Sequence, residues 1–212
     1  MNTTLDFRVL EPVPETKAIE QFISIITKDW SKHGQACVLE IRCLHESLGV
    51  RFEHFPTVAV QQAASYAIQL NQEGYNCYVV VNPICANTTA GSPAKDDVIL
   101  AGHFCFADAD DIQSSEKLRQ VQPKPDFFVV TGTTPFERIH GYWALEEYCD
   151  NLEAWTQVQK NIAQNLGTDK AVTNPSRIMR IAGTVSWPSR KKREKGYQAE
   201  LVTLQLSEGV FG

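Results

Sequence analysis

An apolar run that ends in acid, Phe104-Cys105-Phe106-Ala107-Asp108-Ala109-Asp110-Asp111, constrains the fold more than any other stretch of the chain. Its aromatic residues and its position before a polar break make it a buried strand. Side chains alternate between the faces of a strand, so Asp108 and Asp110 point the same way. Two carboxylates this close repel, and folding tolerates them more easily with a cation between them. Magnesium favours hard oxygen ligands and takes one or two carboxylates together with phosphate oxygens. The run therefore reads as a platform for a divalent ion, or else as a solubilising acidic turn after a buried strand. Asp111 faces elsewhere and caps the turn that follows.

The surrounding pattern sets the fold class. Ile19, Phe22, Ile23 and Ile26 recur at helical spacing and predict a helix over 15–30. A strand is expected over 36–44 and a second helix over 58–73, stopped by Gly74. Residues 75–81 read as a strand, 87–96 as a loop, and 98–109 as one long strand that includes the acidic run. Strands over 127–131 and 141–145 flank Gly132-Thr133-Thr134-Pro135, which suggests a hairpin. Leu152, Trp155, Val158, Ile162 and Leu166 mark a helix that ends near Gly167, and 198–204 reads as a closing strand. Helices and strands interleave, so an α+β or α/β domain is expected. The 212 residues suffice for one core, or a core with a small appended lobe.

Composition excludes several classes. With 43% hydrophobic and 21% charged residues, this is an ordinary globular chain rather than a disordered one. No apolar run is long enough to span a bilayer, and Met1–Asp6 lacks the pattern of a signal peptide, so a cytoplasmic location is the default expectation. The net charge of −5 argues against a protein that coats duplex DNA, and leaves nucleic-acid contact to a local patch. The six cysteines contain no Cys-x-x-Cys pair. They read as buried thiols rather than a zinc ribbon, with Cys77, Cys85, His103 and Cys105 as the one conceivable metal set.

Two further segments carry candidate chemistry. His140 begins the second strand of the expected hairpin, two residues after Arg138, and both are placed to reach a triphosphate above the sheet. A lone histidine is also commonly an ordinary packed residue. Asp169 follows the helix that ends near Gly167. Arg177 and Arg180 then stand three apart in an otherwise apolar stretch. Guanidinium forks suit phosphate, and they pair equally with surface carboxylates. Arg190, Lys191, Lys192 and Arg193 form the densest basic run, either a grip on template phosphates or a solvated hairpin tip.

The ordered set Asp108, Asp110, His140 and Asp169 resembles the primase–polymerase branch of the archaeo-eukaryotic primase superfamily, especially its RepB-like primases. That family carries a strand-borne Asp-x-Asp, then a histidine on a strand, then a third acid. Asn174–Thr184 is similar to the family's arginine-rich stretch after that acid, and Val129–Thr133 and Tyr142-Trp143 also look like family sequence. The likeness covers roughly residues 70–205. One departure is Arg138, where the family often has a small residue.

The resemblance implies a catalytic core related to the RNA-recognition fold, a mixed or antiparallel sheet with packed helices, joined to a small α/β module. The chain would be one domain over 1–212, with an N-terminal module of about 1–70 and a core of about 71–205. It implies a DNA primase/polymerase of plasmid, phage or prophage replication that joins nucleoside triphosphates on a single-stranded DNA template. Asp108, Asp110 and Asp169 would hold two ions, Mg2+ or Mn2+. His140, Arg138, Arg177 and Arg180 would bind the triphosphate. Two rival readings stand beside it: a non-catalytic replication-initiator module, and a metal-dependent nuclease. The sequence holds no Gly-x-x-x-x-Gly-Lys-Ser/Thr motif. Unwinding is therefore expected from a replicative helicase, in cis or in trans, and the ending at Ser207–Gly212 reads as a shortened chain or one with a separate helicase.

Overall fold

Two antiparallel sheets share one core in the computed structural model, which describes residues 11–88 and 91–207. The readings made on residues 1–6, 89–90 and 208–212 lie outside the described residues. In chain order the first elements are α1 (Thr16–Thr27), β1 (Cys37–His45), β2 (Gly49–Pro56), α2 (Val60–Gln72), β3 (Asn76–Val80) and β4 (Ile84–Cys85). Next come β5 (Gly102–Ala109), α3 (Ile112–Gln120), β6 (Phe127–Gly132), β7 (Arg138–Cys149) and α4 (Leu152–Leu166). The chain then forms β8 (Ile178–Arg180), β9 (Val185–Ser186), α5 (Arg190–Arg193), β10 (Glu200–Leu201) and β11 (Thr203–Leu206).

The first sheet runs β2-β1-β3-β8, with β4 paired to the start of β1. Its strands come from both sides of residue 70. The second sheet runs β11-β6-β7-β5, a small third sheet pairs β10 with β9, and every strand pair is antiparallel. Leu39, Ile41, Cys43, Cys77, Val79 and Met179 are buried on one face of the first sheet, in a core shared with α1 and α2. Helix α1 also reaches the second sheet, where Phe22 meets Phe127 and Tyr142 edge to face at 6.4 and 6.3 Å. This double contact explains why Ile25 is buried as well as the Ile19, Phe22, Ile23 and Ile26 stripe. Gly183, at φ +86, lets the turn after β8 abut the start of α1, because a Cβ there would lie 2.7 Å from the Ile19 nitrogen.

Strand β5 is an edge strand, and α4 seals it with side chains rather than with another strand. The Trp155 indole donates to the Phe104 carbonyl at 3.0 Å. Gln159 accepts from the Phe106 N–H and donates to the Phe106 carbonyl, at 3.0 and 3.1 Å. Replacing Gln159 with leucine would leave both backbone groups buried and unpaired, at about 2–4 kcal/mol. A melting temperature lower by roughly 4–15 °C is expected in thermal unfolding. A melt unchanged from the parent would show that Phe106 finds other partners.

Several elements differ from the sequence expectation. Helix α1 stops at Thr27, where Asp29 at φ +66 turns the chain into a short 3-10 turn, Trp30–His33. The long strand expected over 98–109 is a 3-10 turn, Asp96–Val98, followed by β5 from Gly102. Strand β7 extends well beyond 141–145. The closing strand is two short ones, because Val202 turns between β10 on β9 and β11 on β6. The basic run is not a hairpin tip but one helical turn, α5, capped by the Ser189 side chain. Strand β2 and helix α3 are additional. The Asp111 carboxylate caps α3 as expected, accepting from the Ser114 N–H at 2.9 Å. Among the described residues, no helix is long and apolar enough to cross a membrane.

Candidate active site

The antiparallel register of β5 on β7 sets Asp108 directly opposite His140. Both lie on the sheet face that also carries Phe104, Phe106 and Tyr142, by strand alternation. Near the end of β5 this face passes from the aromatic core into a cavity of about 510 Å3. Asn76, Tyr78 and Arg180 form the facing wall, on the side of the first sheet turned away from α1 and α2. Trp187, Lys192 and Tyr197 close the rim.

All three predicted acids line this cavity. Asp110 follows β5 directly. Asp169 arrives from a distant segment, and its backbone N–H donates to the Asp108 carbonyl at 3.2 Å. The Asp169 carboxylate accepts from the Ala171 N–H at 2.9 Å, which shapes the turn after α4. One Asp108 carboxylate oxygen, Oδ1, is buried without a hydrogen-bond partner, although His140 Nε2 lies 3.4 Å away. Burial pushes the Asp108 carboxyl up to about 6, opposed by Arg177 and reinforced by Asp169. Asp110 is pushed upward by desolvation and by the charge of Asp108. Burial holds the His140 imidazole down to about 3 despite the pull of Asp110, so the ring is neutral near pH 7. The His140–Asp108 contact is then a neutral ring beside a carboxyl group rather than an ion pair. The Tyr142 hydroxyl lies 3.4 Å from Nδ1 on the other side of the ring, within hydrogen-bond reach.

The arginines divide into two kinds. Arg180 and Arg177 line the cavity with no carboxylate attached. Arg180 donates to the Asn76 side-chain oxygen at 2.6 Å and to the Tyr78 hydroxyl at 3.1 Å, with its guanidinium 4.9 Å over the Tyr78 ring. Arg177 has a buried Nε without a partner. The segment before it is pinned by Asp96, which accepts from the Ser176 N–H and hydroxyl and from Asn174. Two pre-positioned cations with neutral partners suit an anionic ligand.

Arg138 also lines the cavity, and it is tied to Glu200 at 3.1 Å and to the Thr134 carbonyl at 2.7 Å. Gly132 makes room for this pair, since a Cβ there would fall 1.8 Å from an Arg138 nitrogen. Of the basic run, Lys192 faces the cavity, while Arg190 pairs with Glu194 at 3.2 Å and Arg193 donates to the Pro188 carbonyl. Lys191 is exposed.

The acids pass one test for a divalent ion. Asp108 offers a buried, unpartnered oxygen in a carboxylate-rich cavity, the donor chemistry of magnesium and manganese. Among the described residues, however, no three His, Cys, Asp or Glu side chains form a ready metal cage, whether the acids or Cys77, Cys85, His103 and Cys105. All six cysteines are free thiols.

Asn76, Tyr78 and Trp187 went unrecognised in the sequence. Tyr78 stands opposite Arg180 only through the pairing of β3 with β8, whose residues are a hundred positions apart. The alternation within Tyr75–Val81 was the one available signal, because it sets Asn76 and Tyr78 on a single face.

The architecture is α+β, and it is the fold of the archaeo-eukaryotic primase catalytic domain. It matches the AEP domain of the primase-polymerase of cyanophage S-2L over 93% of each chain, with 23% sequence identity and a TM-score of 0.64. It also matches primase RepB′ over 90% of this chain and 57% of that one, at 16% identity and a TM-score of 0.61. The catalytic domain of RepB′ in complex with initiator DNA matches over 92% of this chain and 85% of that one, at 15% identity and a TM-score of 0.60. No protein-family model and no curated protein matches the sequence.

Proposed function

We propose that the chain is a template-directed nucleotidyltransferase, a DNA primase/polymerase of plasmid, phage or prophage replication. The observation that carries this reading is the meeting of Asp108, Asp110, Asp169 and His140 with Arg177 and Arg180 around one cavity. Acids alone would suit many hydrolases. Acids facing arginines that lack carboxylate partners suit a triphosphate beside a cation site.

Asp108, Asp110 and Asp169 would hold Mg2+ or Mn2+. Bound there, the ions supply Lewis-acid activation of a primer 3′-hydroxyl and neutralise charge on the departing pyrophosphate. Arg177 and Arg180 bind and orient the triphosphate and stabilise charge as it shifts to the leaving group. His140, held neutral by burial, would help bind the triphosphate by hydrogen bonding rather than act as the general base. Lys192 adds positive charge at the rim, and Lys191 reaches template phosphates from the exposed side of α5. Strand opening would fall to a replicative helicase in cis or in trans.

Incubation with a primed DNA template, labelled triphosphates and Mg2+ or Mn2+ tests the reading. Strand extension supports it, strand cleavage supports a nuclease, and DNA binding without chemistry supports an initiator module. Arg180→Ala should raise the apparent KM for triphosphate about 10- to 100-fold, the size of a charge-assisted hydrogen bond. Its melting temperature should move little, because the lost partners are neutral. An unchanged KM with a large fall in stability would assign Arg180 to the scaffold.

A further inference from the structure

Trp187 stands on a ridge between two cavities. One is the acid-lined cavity, and the other, of about 440 Å3, shares Leu44, Asn76, Trp187, Pro188 and Ser189 with it. That volume lies in the ~300–1,000 Å3 range of small-ligand sites.

The ridge is fixed before anything binds. The Trp187 indole N–H donates to the Asn71 carbonyl at 2.9 Å. Its backbone N–H donates to the Asn76 side-chain oxygen, and the Asn76 amide donates back to its carbonyl, each at 2.8 Å. The same Asn76 oxygen accepts from Arg180 at 2.6 Å, so one side chain joins the ridge to the triphosphate-facing arginine. A half-buried aromatic held at edge and backbone loses little freedom when a flat ligand covers it.

The second cavity has the composition of a nucleotide seat. Leu44 and Pro188 offer apolar surface, and Arg193 supplies a cation. His45 accepts the Ser47 and Leu48 N–H groups at Nδ1, which leaves Nε2 as a hydrogen-bond donor. Glu46 is the one acid in the lining, and its carboxylate accepts the Arg190 N–H at 3.1 Å.

We propose that Trp187 is a stacking platform for an unpaired base of single-stranded DNA, with the second cavity seating the nucleotide next to the one at the acids. Stacking needs only the π-face that every base has, so the site would read strand position rather than sequence. The inference rests on the nucleotidyltransferase reading, because that reading brings a single strand to the shared rim.

The test measures binding of the full chain to a labelled oligothymidylate by fluorescence anisotropy, with a matched series in which each position in turn is abasic. One abasic position should weaken binding about 5- to 100-fold. Trp187→Ala should weaken the intact oligonucleotide by a similar factor and lose that positional penalty, whereas Trp187→Phe should keep most of it. A flat abasic series for the parent, or a penalty that persists in Trp187→Ala, overturns the proposal. The parent series needs no variant, so a poorly folded alanine variant leaves the proposal testable. Primer extension by the same preparation separates the two readings. Extension with a flat series sinks the stacking site alone, and a positional penalty without extension sinks the nucleotidyltransferase reading alone.

Discussion

Asp108→Asn is expected to lower the rate of strand extension at least about 1,000-fold and, without metal, to raise the melting temperature. The loss follows from removing a ligand whose charge would hold the ion beside the reacting groups. The gain follows from burial. The Asp108 carboxyl stands at about 6 against an ordinary 3.8, chiefly through desolvation, and its side chain is only 16% exposed. At about 1.4 kcal/mol per tenfold change, its charge opposes folding by roughly 2–3 kcal/mol at neutral pH. The sign follows from the folded state holding this proton more tightly than the unfolded chain does. The penalty is complete above pH 6 and disappears as pH falls through 6 toward 3.8. A gain of roughly 4–12 °C at pH 7, shrinking by pH 4, is therefore expected in chelator-containing buffer. His140 acts in the opposite sense, since its depressed value makes acid below 6.5 destabilising, and it does so in parent and variant alike. Added Mg2+ should raise the melting temperature of the parent more than that of the variant. Extension at the parental rate would remove Asp108 from the site, and equal melting at pH 7 would mean that its charge is not buried.

Arg138→Ala should be the most destabilising single change near the cavity. Arg138 is 4% exposed, and it joins the β6–β7 turn to Glu200 on β10. Its guanidinium lies 4.5 Å over the Tyr197 ring, and the same ring meets Phe136 edge to face. Removing one partner of a buried pair costs about 3–5 kcal/mol, mostly from the charge left behind. Glu200 keeps its bonds from the Thr133 and Thr134 backbone, so the lower figure is expected, with a fall of about 6–12 °C in melting temperature. The double change Arg138→Leu with Glu200→Leu should recover much of that loss, because neither charge then remains buried. If the double variant melts no higher than Arg138→Ala, the ion pair is not the source. If Arg138→Ala melts like the parent but binds triphosphate poorly, Arg138 is a ligand after all.

Much of the second sheet was legible because its strands announce themselves by composition. Phe127–Val130 is apolar throughout, and it forms most of a strand buried on both faces. Helix α4 follows from Trp155, Ile162 and Leu166 at helical spacing and from Gly167, which adopts φ +71. Strand β2 was hidden because it is an edge strand with Arg51, Glu53 and His54, so its apolar alternation is weak. Helix α3 was hidden by its polar face, where only Ser114, Ser115 and Leu118 are buried. At the site, the order of the acids and His140 pointed to one cavity, and the register of β5 on β7 brings Asp108 and His140 face to face. The pairing of Arg138 with Glu200 was not legible, because the two are remote in sequence and nothing near Arg138 signals it. Asn76 and Trp187 were missed for the same reason, since each acquires its role from a long-range hydrogen bond.

The walls of the acid cavity are drawn from Leu44 through to Gln198, and this spread has a consequence for how the molecule assembles. During synthesis from the N-terminus, β5 and β7 are complete before β8, Trp187 and α5 exist. Asp108 and Asp110 therefore stay hydrated while their strands pair, and their mutual repulsion is screened by water at that stage. Desolvation of Asp108 is complete only once the later segments that wall the cavity have docked. The cost of gathering the acids thus falls on a late step of folding. A late penalty of this kind chiefly hastens reopening of the cavity and leaves the first pairing of the strands almost untouched.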